Sequence, residues 1–280
     1  MPLNARTPVA LLACMLSGGT ALAQHLVLLP SAFEATLGGD LTIRAQIAAE
    51  KGASAAPWPV EIAWLFVRSA GTQENRGPQD APTPDAGRVR VSPAAAGVVL
   101  IGLDLPARTE SIEPERVLVA ARAAGRTEIC PDKPALVRWV KSAATLVRVR
   151  DAEGGVPSNG TGTSKAGLLA EIRPLMDAAR APAGGVLPVR AYLLGDAAPG
   201  AVILATHAPS GESQRVTADA KGIADIQITT PGTWIIRSTM IRASAEGEAA
   251  HTVVDLTVGE ASLTFDAPGP RPQPPAETSP

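Results

Sequence analysis

Apolar and polar residues alternate with a period of two along most of this chain. In "DLTIRAQIA", Leu41, Ile43, Ala45 and Ile47 fall on one side, and Asp40, Thr42, Arg44 and Gln46 on the other. Side chains point to opposite faces at successive strand positions, so this pattern predicts a half-buried β-strand. The same reading covers "PVEIAWLFVRS", with Val60, Ile62, Trp64 and Phe66 on one face, and "ATLVRVRD" near residue 148. "AGVVLIGLDLP" is a continuous apolar run of strand length. Gly and Pro punctuate the gaps between these segments. "GTQENRGPQDAPTPDAG" is too rich in charge, Gly and Pro to pack, and residues 69–87 are expected to form a long mobile loop.

One segment breaks the alternation. "PERVLVAARAAG" places Val117, Leu118 and Ala121 at helical spacing, with Pro114 at the first turn and Gly125 after the end. Proline at the start and glycine just beyond the end predict one short helix. Glu153 to Gly167, "EGGVPSNGTGTSKAG", offers little apolar area against the entropy of ordering it, and reads as a linker. Beyond it the alternation returns: "VLPVRAYLL" sets Leu187, Val189, Ala191 and Leu193 on one face. "GAVILATHA", "QRVTAD", a turn at Asp219-Ala-Lys-Gly222, "IADIQITTPGTWIIRSTMI" and the closing "ASLTFD" follow. The expected class is all-β. It comprises an N-terminal β-sandwich-like domain at 24–152 that holds the short helix, a linker at 153–167, and a C-terminal β-sandwich-like domain at 168–266. Residues 267–280 form a proline-rich tail expected to be disordered.

The first 23 residues change the picture of where the chain works. Arg6, the apolar run Pro8 to Leu16 and the small-x-small pattern Ala21-Leu22-Ala23 match a secretory signal, which predicts a periplasmic chain starting at Gln24. A rival reading takes "LLAC", Leu11 to Cys14, as a lipoprotein cut site, but leaves the downstream A-L-A without a purpose. No later segment reaches the length of apolar residues that a membrane span needs. The full chain carries a net charge of -2 and no Lys/Arg block, which argues against nucleic acid as a partner. Cys130 is the one cysteine left after cleavage, so no internal disulfide forms; before Pro131 it is expected to be small and half-buried.

Histidine is scarce: His25, His207 and His251 are the three in the sequence. After cleavage at Ala23, the Gln24 amine, the His25 amide and the His25 imidazole lie within one chelate. All-nitrogen ligation of that kind suits nickel or copper as the divalent ion. The other reading of His25 is a polar residue at a strand start. His207, following Ile203 and Ala205 on a strand, reads as a turn or rim residue or a ligand; His251 lies before Asp255, four residues on. No Cys-x-x-Cys, His-x-x-x-His, nucleophile elbow or P-loop is present, so an enzyme is not expected.

The order of segments resembles a known family. "LPVRAYLLGDAAPGAVILATHAPSGESQRVTADAKGIADIQITTPGTWIIRSTMI" is similar to the C-terminal half of the DUF4198 family, and "AQHLVLLPSAFEATLGGDLTIRAQI" to its opening. The middle, "VVLIGLDLPARTESIEPERVLVAARAAG" then "VRWVKSAATLVRV", fits its strand, helix and strand order. The "aD..G...i....PG.w.i" pattern also occurs in transthyretin-like modules, so the resemblance implies Ig/transthyretin-like sandwiches. It further implies a periplasmic protein associated with nickel or cobalt uptake, partnered by a membrane metal-uptake transporter component, with Gln24, His25, His207 and His251 as candidate ligands. The alternative is a structural or protein-interaction module of the envelope. The chain departs from the family at Leu26, Val27 and Leu28, where Asp-Phe-Trp is usual, and keeps Asp255 without the aromatics that follow it. Those departures imply a weaker or different ligand site.

Overall fold

The computed structural model describes residues 25–48, 61–76, 88–244 and 254–269. The expected signal segment, Gln24, His251 and most of the expected tail lie outside the described residues. The strands are β1 (His25–Pro30), β2 (Glu34–Thr36), β3 (Leu41–Ala48), β4 (Trp64–Ser69), β5 (Thr72–Arg76), β6 (Arg88–Val91), β7 (Gly97–Asp104) and β8 (Arg108–Ile112). Helix α1 (Pro114–Ala123) and β9 (Ala135–Arg150) come next, then β10 (Ala170–Pro174), β11 (Gly185–Leu193), β12 (Asp196–Ala197) and β13 (Val202–His207). β14 (Ser213–Thr217), β15 (Ile223–Ile228), β16 (Gly232–Ala243) and β17 (Leu256–Ala267) complete the chain. It is a β-sandwich protein, mostly strand, with one α-helix among the described residues.

β9 organises the molecule. It is 16 residues long, about 50 Å at the usual rise of a strand, and each of its edges carries two strands in succession. Along one edge β8 pairs antiparallel with residues 135–139 and β7 with residues 142–149. Along the other, β17 pairs parallel with residues 137–145 and β2 with residues 148–150. The strands before and after residues 153–167 thereby share one sheet, ordered β14-β13-β16-β17-β9-β7-β4-β5.

Strands buried on both sides follow from that arrangement. The odd residues Ala143, Val147 and Val149 of β9 join Leu26 and Leu28 of β1, Leu41 and Ile43 of β3 and Val91 of β6 in one core. The even residues Val140, Ala144 and Leu146 join Ile172 of β10, Leu187 and Val189 of β11 and Trp234 of β16 in another. A three-stranded sheet β1-β3-β6 thus covers one face of the central sheet, and the β10, β11, β12 and β15 sheet covers the other. β4 is likewise double-faced, with Phe66 in the second core and Leu65 and Val67 in the first. Trp234, Phe66 and Phe265 are fully enclosed, each contributing about 1.5–3 kcal/mol through burial of apolar area. Helix α1 places Val117, Ala120 and Ala121 against Ile241 and Val258 at one end of the central sheet. Pro114 sits in its first turn, as expected.

Three sequence expectations change here. Part of the expected loop at 69–87 is strand: Thr72–Arg76 pairs with β4 across a two-residue turn at Ala70 and Gly71. Both turn residues have positive φ, 46° and 81°, which matches the twist of the flanking strands and makes a tight hairpin. Residues 77–87 lie outside the described residues. The 153–167 segment is irregular yet fastened. Arg68 Nη1 donates to the Lys165 carbonyl (2.5 Å), Asn159 Nδ2 to the Val98 carbonyl (2.9 Å) and Arg150 Nη1 to the Gly154 carbonyl (2.6 Å). Side-chain hydrogen bonds given in both directions tie this backbone to the strands, so its lack of apolar area does not leave it loose. Cys130 is exposed, not half-buried, with its thiol 3.3 Å from the Thr127 carbonyl.

Candidate functional site

His25 opens β1, and the carbonyl of its neighbour Leu26 accepts a hydrogen bond from Ser262 Oγ at 2.5 Å. Ser262 stands opposite Arg237 of β16, and Glu260, two residues earlier on β17, stands opposite Lys141 of β9. Residues in register share a face of a sheet, as do residues two apart on a strand. Lys141, Arg237, Glu260 and Ser262 therefore project to one side of the central sheet, the side that β1 covers. Lys141 Nζ and Glu260 Oε2 form an ion pair at 2.7 Å.

His25 is 5% exposed, and its Nδ1 is buried with no hydrogen-bond partner among the described residues. Burial, followed by the positive charges of Arg237 and Lys141, pushes its pKa down to about 3. A buried imidazole loses the hydration of its charged form, and nearby cations penalise that form further. His25 is consequently neutral at physiological pH, the state in which a ring nitrogen ligates metal. Burial raises the Glu260 carboxyl, and Lys141 opposes the rise.

A second polar cluster, from β7, β9 and β10, lies on the opposite side of the central sheet. Ser142 Oγ donates to Asp104 Oδ1 at 2.5 Å and accepts from the Ala170 amide at 3.0 Å. Glu171 accepts from the amides of Ala166 (2.7 Å) and Gly167 (2.9 Å), which pins the end of the 153–167 segment. Burial pushes Asp104 up to about 6, against the Ser142 and Leu169 hydrogen bonds, and the charge of Glu171 adds to the rise. Burial also raises Glu171. Lys141 and Ser142 are consecutive, so adjacent residues of β9 serve one cluster each.

Of the expected ligands, His25 and His207 are described, and they lie apart. His207 ends β13 with Nδ1 2.8 Å from Ser210 Oγ and Nε2 3.1 Å from the Pro231 carbonyl, its ring tilted 41° against Trp234 with centroids 5.4 Å apart. Both ring nitrogens are occupied within a turn, and the ring packs on the second-core side, across the central sheet from His25. Gln24 and His251 fall outside the described residues. Asp255, flagged beside His251, accepts from the Leu136 amide at 2.7 Å. Among the described residues, no three or more His, Cys, Asp or Glu gather closely enough to hold an ion; His25 supplies one neutral nitrogen. Sequence reasoning missed Lys141, Arg237 and Glu260. Each is a charged residue inside an otherwise apolar strand ("RWVKSAA", "WIIRSTM", "VGEASLTF"), which was the available signal.

No helix among the described residues is long and apolar enough to cross a membrane. No curated protein matches the chain. Among solved structures, a bacterial ice-binding adhesin is similar at 10% identity over 88% of this chain, with a TM-score of 0.23; the match spans 65% of the adhesin chain. A two-domain fibronectin type III segment from chicken tenascin is similar at 12% identity over 83% of this chain and 95% of its own, with a TM-score of 0.20. Murine CEACAM1b is similar at 8% identity over 88% of this chain and all of its own, also at 0.20. A family model, described as a domain of unknown function (DUF4198), matches residues 21–242. With most of its length so matched, the chain belongs to the DUF4198 family.

Proposed function

We propose that this is a non-enzymatic periplasmic protein that binds a transition metal such as nickel, cobalt or copper and works beside a membrane metal-uptake component. The observation that carries this reading is His25: a neutral, buried imidazole whose Nδ1 has no partner. An unpaired buried nitrogen costs free energy that a ligand would recover. Its place next to Gln24, the first residue after the expected cleavage site, supports a chelate that uses the chain's own amine and amide nitrogens. The test is equilibrium dialysis of mature chain, with its free amine verified by mass spectrometry, against Ni(II), Co(II) and Cu(II). One ion per chain is expected, lost in His25→Ala. Because the imidazole is already neutral, the rise of affinity with pH should come from the protons the metal displaces, from the α-amino group, which titrates near pH 8, and from the His25 amide. Absence of stoichiometric uptake by the wild type would end the metal reading.

The second reading is an envelope interaction module without metal, favoured by Lys141 and Arg237. Their charges lie close enough to depress His25, and they would repel a dication there. It expects no uptake, and recovery of a protein partner by crosslinking in the periplasm.

A further inference from the structure

A cleft of about 600 Å3 opens where β2, the end of β9, the 153–167 segment and the residues after β17 meet. Its wall carries three guanidinium groups, from Arg148, Arg150 and Arg180, and one carboxylate, from Glu34. That volume falls within the range of small-molecule sites, which favour such junctions. Asp177 and Asp266 partner Arg180 and Arg148 at 3.2 and 3.0 Å and balance their charge from outside the lining, so the cleft presents guanidinium N–H donors, with Glu34 as its one lining carboxylate.

The arginines are held before any ligand arrives. Arg148 Nη1 donates to the Ala179 (3.0 Å) and Asp266 (2.8 Å) carbonyls, and its Nε lies 3.4 Å from Glu34. Arg150 uses Nε on Glu34 (2.5 Å) and Nη1 on the Gly154 carbonyl, while Arg180 uses Nη2 on the Val156 carbonyl and is ion-paired with Asp177. Arg150 Nη2 and Arg180 Nη1 have no protein partner among the described residues. Fixed guanidinium groups with free N–H groups suit carboxylate and phosphate oxygens, and fixing them beforehand lowers the entropy lost on binding.

We propose that this cleft binds a small organic or inorganic polyanion bearing carboxylate or phosphate groups, with Arg150 and Arg180 as the recognising donors and Val156 and Pro182 as an apolar wall. The site is separate from His25 and takes its ligand without metal.

The test is isothermal titration calorimetry of the mature chain with citrate and with pyrophosphate, in metal-free buffer at low salt. The expected result is one-to-one binding of at least one anion, with Kd at or below about 1 mM, weakening as salt is added. Citrate alone would place the natural ligand among carboxylates, and pyrophosphate alone among phosphates. Arg150→Gln and Arg180→Gln should each weaken binding about tenfold, the usual worth of a charge-assisted hydrogen bond. Arg150→Lys keeps the charge opposite Glu34 but loses the planar fork, so it should weaken binding while melting like wild type. No heat with either anion overturns the proposal, as does undiminished binding by a folded Arg150→Gln/Arg180→Gln chain.

Discussion

Acidification should destabilise the fold through His25, and the size of the effect follows from its environment. The folded-state pKa is depressed from 6.5 to about 3, so the unfolded chain binds a proton that the folded chain refuses. Stability from this group is full above pH 6.5 and is lost as pH falls from there towards 3. The whole gap is worth about 5 kcal/mol, and by pH 5 about 2 kcal/mol of it is gone. Asp104 works in the opposite direction. Its carboxyl is raised to about 6, so its contribution is full below pH 4 and is lost as pH rises through 6. Buried Glu171 and Glu260 are raised as well, and a wild-type pH profile alone therefore mixes signs. The comparison that isolates His25 is urea unfolding of wild type and His25→Leu at pH 7.5 and pH 5. At pH 7.5 the variant should be close to wild type, because it removes a buried nitrogen that has no partner. Between the two pH values wild type should lose about 2 kcal/mol more than the variant. Equal losses in the two chains would refute the reasoning, since they would mean His25 protonates in the fold as easily as in the unfolded chain.

Asp104→Asn should remove the opposite slope, and at pH 8 should leave the chain about 1–3 kcal/mol more stable, because the charged form that burial penalises is gone; the same unfolding series at pH 8 and pH 5 measures it. Gly102→Ala should destabilise by about 1–3 kcal/mol, because a Cβ at this β7 position would overlap the Phe66 ring packed across from it; Phe66→Leu in the same chain should recover part of the loss in chemical denaturation. His207→Ala should cost about 1–3 kcal/mol by stranding the turn that holds Ser210 and the Pro231 carbonyl, while leaving metal uptake in dialysis unchanged.

Local pattern accounts for much of the secondary structure. Alternation at 41–47 places Leu41 and Ile43 inward and Arg44 outward, and Pro114 with Gly125 brackets the helix. The Asp219 turn is legible because its carboxylate accepts from the Lys221 and Ile223 amides, both at 2.8 Å, a local requirement written in five consecutive residues. The β5 hairpin was not legible, because Thr72 to Arg76 is polar on both faces and gains its strand conformation from pairing with β4. The candidate site was half legible. His25 stood out by its rarity, but its cationic neighbours come from β9 and β16, more than a hundred residues away in sequence. What sets its chemistry is the register of parallel and antiparallel pairing, which no local pattern encodes.

By itself, then, the sequence determined an all-β chain with one short helix, because strand and helix periods and turn residues are properties of neighbouring positions. Only the tertiary structure decided that β9 runs through both halves, that its adjacent residues Lys141 and Ser142 serve polar clusters on opposite faces, and that His25 and His207 stay on opposite sides of the central sheet. Those outcomes depend on which distant strands share hydrogen bonds and which faces they bury. Burial and proximity of charge, not residue identity, make one histidine an unpaired neutral imidazole and the other a bonded member of a turn.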